Sequence, residues 1–324
     1  MTGATGDDRR ERLWAAMDGR GLDVLVLGRQ DNTTWATGMH RLWTAGPRPF
    51  GAGCVLVGET RGVHLLSSWD DGIPDDVPFE QLYGVTWSPV VMAEAMAAIP
   101  GLADAARIGV DALSPGFRRA AGGFAPTAEL VAADDLMADL RRPKSDSECA
   151  AIARACGVAT AAVDAVSAAV AAGAAEPGRL RGVGLAAAAG AGGTVPSSGI
   201  TVDCHAETVS VDVGVLIDDW EGGLGRTVSL DGQARGGRIE ERVRALMAAC
   251  RAGAGGDEIQ RCGGAGRWLV RGVGMGFERP VVGPDIGADA GLVVGDVLSV
   301  AVSGDDRHHR EVVVVTDGQP EPLT

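Results

Sequence analysis

The stretch V-S-V-D-V-G-V-L-I-D-D-W-E-G-G-L-G-R-T-V, residues 209–228, decides the fold. Val209, Val211, Val213, Val215 and Ile217 alternate with Ser210, Asp212 and Gly214. A period of two puts the apolar residues on one face of a strand and Asp212 on the other. Asp218-Asp219 and the Gly222-Gly223 pair supply turn chemistry, and Leu224–Leu230 reads as the return strand of a hairpin. A lone Asp on the less apolar face of a buried strand is either solvated or functional.

Composition bounds what surrounds this hairpin. The chain has 324 residues, 46% hydrophobic and 22% charged, enough for two domains with sizeable cores. Its formal net charge is −14. That excess argues against nucleic-acid partners and against anionic membrane surfaces, both of which call for a basic face. The N-terminal M-T-G-A-T-G-D-D-R-R has no apolar core, so no secretory signal is read. Six scattered Cys without a C-x-x-C pair read as reduced cytosolic thiols, and a cytoplasmic location is expected. Lys144 is the single lysine, which removes phosphate-loop and Schiff-base chemistry. The histidines are His40, His64, His205, His308 and His309, which limits any imidazole-based site.

In chain order, residues 8–20 read as an amphipathic helix and 21–28 as a buried strand. Strands at 53–58, 63–67 and 106–110 alternate with helices at 88–100 and 114–122, an α/β pattern. Ser145 with Glu148 forms a capping box ahead of a helix whose Ile152, Cys156, Ala159, Val163, Val166 and Val170 make one apolar stripe. Residues 178–200 read as a short Gly/Ala-rich helix and a loop. Residues 239–250 read as another amphipathic helix, 272–277 as a Gly-rich turn, and 292–302 and 311–315 as closing strands. His308-His309 reads as exposed loop.

Several of these segments carry a resemblance. "VDVGV…GRT" is similar to the first metal-binding hairpin of the creatinase, aminopeptidase P and prolidase superfamily, the pita-bread fold. "GLDVLVLGRQDNTTWATG" resembles the opening of that superfamily's N-terminal domain. "DLRRPKSDSE" resembles its interdomain link, and "EVVVVTDGQPEPLT" its ending. The resemblance implies a creatinase-like α/β domain over residues 1–140. A shortened α+β pita-bread domain follows over 141–324, a curved antiparallel sheet covered by helices.

Metallopeptidases of the superfamily hold two divalent ions with two Asp, one His and two Glu. Carboxylates must bridge two such cations, which otherwise repel. Matched residue by residue, Asp212 takes the first Asp position and Glu311 the second Glu. The remaining positions hold Gly223, Arg271 and Ala301. Gly and Ala have no ligating atoms, and an arginine carries a fixed positive charge. The expectation is no metal site and no cofactor, with the Arg271 guanidinium lying between Asp212 and Glu311. The cluster Asp203, Cys204 and His205 lacks metal-ligand spacing.

Creatinase itself works without a metal. By that resemblance the candidate catalytic groups are His205 as base, with Asp212, Glu278 and Glu311 as acids. Arg271, Trp220, Arg226, Arg41 and Trp43 are the candidate substrate-binding residues. A solvated loop histidine is the competing reading for His205. The expectation is a metal-independent creatinase-like hydrolase or lyase acting on a C–N bond of a small polar substrate, as a homodimer. The alternative is a non-catalytic pita-bread protein that binds a ligand or a protein, and the third reading, an Xaa-Pro-type metallopeptidase, is disfavoured by the missing ligands.

Overall fold

The structure, a computed structural model, describes residues 3–39, 53–67, 72–84, 88–196, 199–230, 237–287 and 291–324. The chain divides into two units, Met1–Arg141 and Arg142–Thr324.

The first unit runs α1 (Gly3–Arg20), β1 (Val24–Leu27), α2 (Gln30–Thr37), β2 (Cys54–Val57), β3 (Gly62–Ser67), β4 (Leu82–Gly84), α3 (Pro89–Ala97), β5 (Arg107–Val110), α4 (Pro115–Phe124), β6 (Glu129–Ala132) and α5 (Asp134–Arg141). Its sheet has the order β4-β3-β2-β1-β5-β6. β1, β5 and β6 are parallel, while β2 runs antiparallel to β1 and β3. All four residues of β1 are buried, as a central strand covered on both faces requires. Asp111 is 1% exposed just past β5, and its carboxylate accepts from Asn32 Nδ2 (2.7 Å) and from the backbone N–H groups of Gly28 and Arg29. Those bonds satisfy a group that burial would otherwise penalise.

The second unit opens at the predicted capping box. Ser145 N–H donates to Glu148 Oε2 (2.9 Å), and Glu148 N–H donates to Ser145 Oγ (3.4 Å). The helix that follows, α6 (Asp146–Ala171), is long and apolar enough to span a bilayer. Its stripe is instead used inside the protein, where Ala155, Ala159, Ala162, Val163, Val166 and Val170 pack on Val209, Val211, Val213, Val215 and Leu224. α7 (Pro177–Gly190) joins this layer. Then come β7 (Ile200–Cys204), β8 (Thr208–Ile217), β9 (Trp220–Ser229), α8 (Arg238–Ala249), α9 (Gly256–Gly263), β10 (Arg267–Gly274), β11 (Gly276–Val282), β12 (Val297–Ser303), β13 (His308–Val314) and β14 (Glu321–Pro322).

These strands form one antiparallel sheet, β11-β10-β12-β13-β9-β8-β7, with β14 on the end of β13. It consists of two half-sheets, each with its own helical cover and core. They meet through a single strand pairing, Arg310 opposite Gly225. The architecture is the α/β domain followed by the helix-covered antiparallel sheet expected from the sequence.

Three local expectations are corrected. The hairpin turn is Asp218-Asp219 alone, both at positive φ (49° and 66°), so Gly222 and Gly223 lie inside β9. Two adjacent positive-φ residues twist with the flanking strands, so a longer turn is not needed. The Gly-rich 272–277 segment is mostly strand and closes a tight hairpin between β10 and β11. His308 and His309 belong to β13, paired with Ser303 and Val302, rather than to an exposed loop.

Candidate functional site

The site lies at the seam of the two half-sheets. Strand alternation there sorts the side chains onto two faces. Asp212 on β8 pairs with Gly225 on β9, and Gly225 pairs with Arg310 on β13. Asp212, Gly225, Gly223, Arg310, His308, Ala301, Ser303 and Arg271 therefore share the face turned away from α6. Val211, Val213, Arg226, His309 and Glu311 share the opposite face.

Two glycines shape the open face. A Cβ added at Gly223 would lie 2.4 Å from Nη2 and 2.6 Å from Cζ of Arg310. A Cβ at Gly225 would lie 2.6 Å from the His308 ring. With no side chain at either position, Arg310 and His308 cross over β9 and reach Asp212 on the next strand. Glycine inside a strand often marks such a close approach.

Two groups converge on Asp212 Oδ1. Arg310 Nε is 2.9 Å away and His308 Nε2 is 3.3 Å away. These are ion-pair contacts without aligned hydrogen bonds. Arg310 Nη2 donates to the carbonyl of Val213, and Ser303 Oγ lies 2.9 Å from His308 Nδ1. Burial pushes the Asp212 carboxyl up, but His308, Arg310 and Arg271 together outweigh it, and its pKa is held below the ordinary value. Asp212 keeps 31% of its side chain exposed. That exposure opens into a polar cleft of about 320 Å³, lined in part by His205, Asp212, Arg267, Ser303, Arg307 and His308.

The sequence-derived candidates distribute unevenly over this geometry. Asp212 and His205 line the same cleft, and the His205 backbone N–H donates to Thr208 O (2.8 Å). Glu311 does not face Asp212. It lies on the other face, 2.7 Å from Arg226 Nη2 and 2.8 Å from His309 Nε2, because one step along a strand reverses the side chain's direction. Burial raises its pKa, but the contacts from His309, Thr324 and Arg226 bring it below the ordinary value. Arg226 is thus a strut between β9 and β13, also donating to Arg310 O (3.1 Å).

Arg271 does not bridge Asp212 and Glu311. Its fork grips Glu221, with Nη1 3.1 Å from Oε2 and Nη2 on Oε1. The cation in direct contact with Asp212 is Arg310. Glu278 is tied to Lys144 Nζ at 2.5 Å, with side chains 9% and 2% exposed, and is an ion-pair partner rather than a free acid. Trp220 is 6% exposed at the start of β9 and belongs to the core rather than to a ligand surface. Arg41 and Trp43 lie outside the described residues. His308, Arg310, Ser303 and Glu221 were not singled out from the sequence. The usable signal was the pair of glycines two residues apart in β9.

The residues present do not fit a dinuclear metal centre. Gly223 and Ala301 offer no donor atoms, Arg271 and Arg310 are cations, and the Arg310 guanidinium fills the space beside Asp212 that a ligand at 223 would need. Among the described residues, no three His, Cys, Asp or Glu side chains gather as a ligand set.

Comparisons with known proteins agree with this architecture. Residues 9–142 match the family described as the creatinase/prolidase N-terminal domain. The chain is similar in structure to the prolidase from Pyrococcus horikoshii OT3, with a TM-score of 0.74 and 16% identity over 98% of each chain. It is similar to the X-Pro aminopeptidase from Thermotoga maritima MSB8, with a TM-score of 0.73 and 14% identity over 97% of each chain. The Xaa-Pro dipeptidase from Bacillus anthracis gives a TM-score of 0.72 and 16% identity, covering 98% of this chain and 97% of the other. No curated protein matches by sequence.

Proposed function

Residues 9–142 match the creatinase/prolidase N-terminal domain and the chain has the fold of the prolidases, and from that premise we propose that it is a metal-independent hydrolase of the creatinase type. Its substrate is a small polar molecule cleaved at a C–N bond, in the cleft beside Asp212. The observation that carries the reading is the Arg310 guanidinium, which stands beside Asp212 in the space opened by Gly223. A fixed cation there neutralises the carboxylate that a metal would otherwise neutralise. The cleft still offers two histidines, two serines and two arginines around the partly exposed Asp212 carboxylate. General acid–base work needs such groups within reach of one another.

The enzyme is proposed to work in the cytoplasm as a homodimer, which sedimentation at micromolar concentration tests. The catalytic reading is tested by incubating the purified protein with a panel of small amides, amidines and dipeptides in excess chelator. Turnover that survives the chelator and is lost in His308→Gln supports it. Absence of turnover across the panel, with a ligand detected by calorimetry, favours the binding reading. Turnover that requires added Mn²⁺ or Co²⁺ overturns metal independence.

A further inference from the structure

The cleft contains a connected set of groups that the superfamily resemblance does not predict. Ser303, the last residue of β12, sits directly across from His308, the first residue of β13. Ser303 Oγ lies 2.9 Å from His308 Nδ1, and His308 Nε2 lies 3.3 Å from Asp212 Oδ1. All three side chains line the same cleft. We propose that Ser303, His308 and Asp212 form a nucleophilic relay that cleaves the carbonyl–nitrogen bond of a small amide, or the matching ester, through an acyl-serine. This rests on the metal-independent reading above and names its chemistry.

Geometry assigns the roles. A carboxylate 3.3 Å from Nε2 favours the tautomer with its proton on Nε2, because the positive end of that N–H then lies beside the anion even without an aligned hydrogen bond. Nδ1 is left as an acceptor, and it is the nitrogen facing Ser303 Oγ. Serine is a weak nucleophile until such a base takes its proton. The ring is fixed from both sides. Gly225 leaves room for it, and the His308 backbone N–H donates to Thr227 Oγ1 (2.8 Å), which in turn donates to the His308 carbonyl (2.9 Å). Asp212 is held in place by Arg310. The same three-part logic recurs on unrelated folds and is recognised by geometry rather than by chain order.

The reaction balances with water as the only co-reactant. Ser303 Oγ bonds to the substrate's carbonyl carbon, and its proton passes to His308 Nδ1. The C–N bond breaks as that proton moves to the leaving amine. Water then adds to the acyl carbon and gives a proton to Nδ1. The bond to Oγ breaks, Ser303 recovers the proton, and the carboxylic acid departs. Arg267 and Arg307 line the cleft with Ser303, and their positive charge favours the oxygen that becomes negative.

The test is covalent labelling of the full chain with an alkyl fluorophosphonate, read by peptide mass spectrometry. The expected result is one adduct per chain, on Ser303. His308→Gln should slow labelling by about 100-fold or more, the usual range for loss of a general base. Asp212 is a positioning residue. Asp212→Asn should lower the maximal labelling rate while leaving the probe's reversible inhibition constant unchanged, a split that mere unfolding does not give. Circular dichroism of each variant reports folding, and His308→Gln decides the case if Asp212→Asn does not fold. No adduct on Ser303 in the folded wild type, or labelling indifferent to His308→Gln, overturns the relay. Chelator-resistant turnover that persists in Ser303→Ala also overturns it while leaving the metal-independent reading intact. A labelled Ser303 in a protein that turns over no amide defeats that reading and keeps the reactive serine.

Discussion

Arg310 Nε stands 2.9 Å from Asp212 Oδ1, and the two side chains meet over β9 because Gly223 and Gly225 have nothing to put between them. The pair joins β13 to β8, two strands that are not neighbours. Arg310→Ala removes that cross-strand tie and leaves a largely buried carboxylate with His308 in contact and Arg271 further off. Removing one partner of a buried pair costs about 3 kcal/mol, and the partial exposure of Asp212 reduces this to about 2 kcal/mol. Urea denaturation should show that loss. A lysine at 310 should recover only part of it, since an ammonium cannot reach Asp212 and the Val213 carbonyl with one planar fork. An unchanged denaturation midpoint in Arg310→Ala would show the pair to be idle.

Gly225→Ala places a methyl group 2.6 Å from the His308 ring. The ring must swing away from Asp212, and overpacking of this kind costs about 1–3 kcal/mol. The matched control is Gly182→Ala on α7, where an added methyl meets nothing. That change should be neutral or raise stability by up to about 1 kcal/mol, the helix preference for Ala over Gly. Equal effects at the two positions, measured by thermal melting, would contradict the crossing of His308 over β9.

Acid stability follows from two carboxylates. Asp212 and Glu311 both have folded pKa values below their ordinary ones. A depressed carboxylate contributes stability that is fully present above its unfolded pKa and is lost as pH falls through the folded one. Stability should therefore decline below about pH 4.5, the range in which unfolded Glu and Asp begin to bind protons. Asp212→Asn and Glu311→Gln should each flatten this limb in urea titrations run between about pH 5 and pH 3. Unfolding curves with the same acid slope as wild type would rule out both assignments.

Lys144 and Glu278 are an isolated test of a buried ion pair, because Lys144 is the only lysine in the chain. Lys144→Ala should cost about 3 kcal/mol, since it leaves Glu278 charged and buried. The double change Lys144→Met with Glu278→Gln should cost less than Lys144→Ala alone. Differential scanning calorimetry of the three proteins checks this order. The reverse order would mean that Glu278 has a use other than pairing with Lys144.

Equilibrium dialysis against Mn²⁺ should show no uptake near two ions per chain, since Asp212 is the only carboxylate left in the five ligand positions that faces the cleft. Gly223→Asp alone should not change this, because Arg310 still occupies the space. Stoichiometric Mn²⁺ uptake that disappears in Asp212→Ala would show that Asp212 still anchors a metal centre.

Much of this was legible in the residues. The alternating valines of 209–217 gave the strand, and Ser145 and Glu148 gave the helix start. Which side chains meet over the sheet was not legible. The run His308-His309-Arg310-Glu311 has no apolar alternation, so nothing in it marks which residues face the cleft. Register carries that information, and a shift of one residue exchanges Arg310 for Glu311. The role of β9 was hidden for a related reason. Glycines read as turn signals when the turn itself, Asp218-Asp219, is built from residues that tolerate positive φ.

The bare stretch of β9 also constrains how this protein can change. A carboxylate cannot be placed at position 223 while Arg310 lies there, and Arg310 cannot be removed without stranding Asp212. Either single change passes through a less stable protein, so the two positions can be exchanged only together.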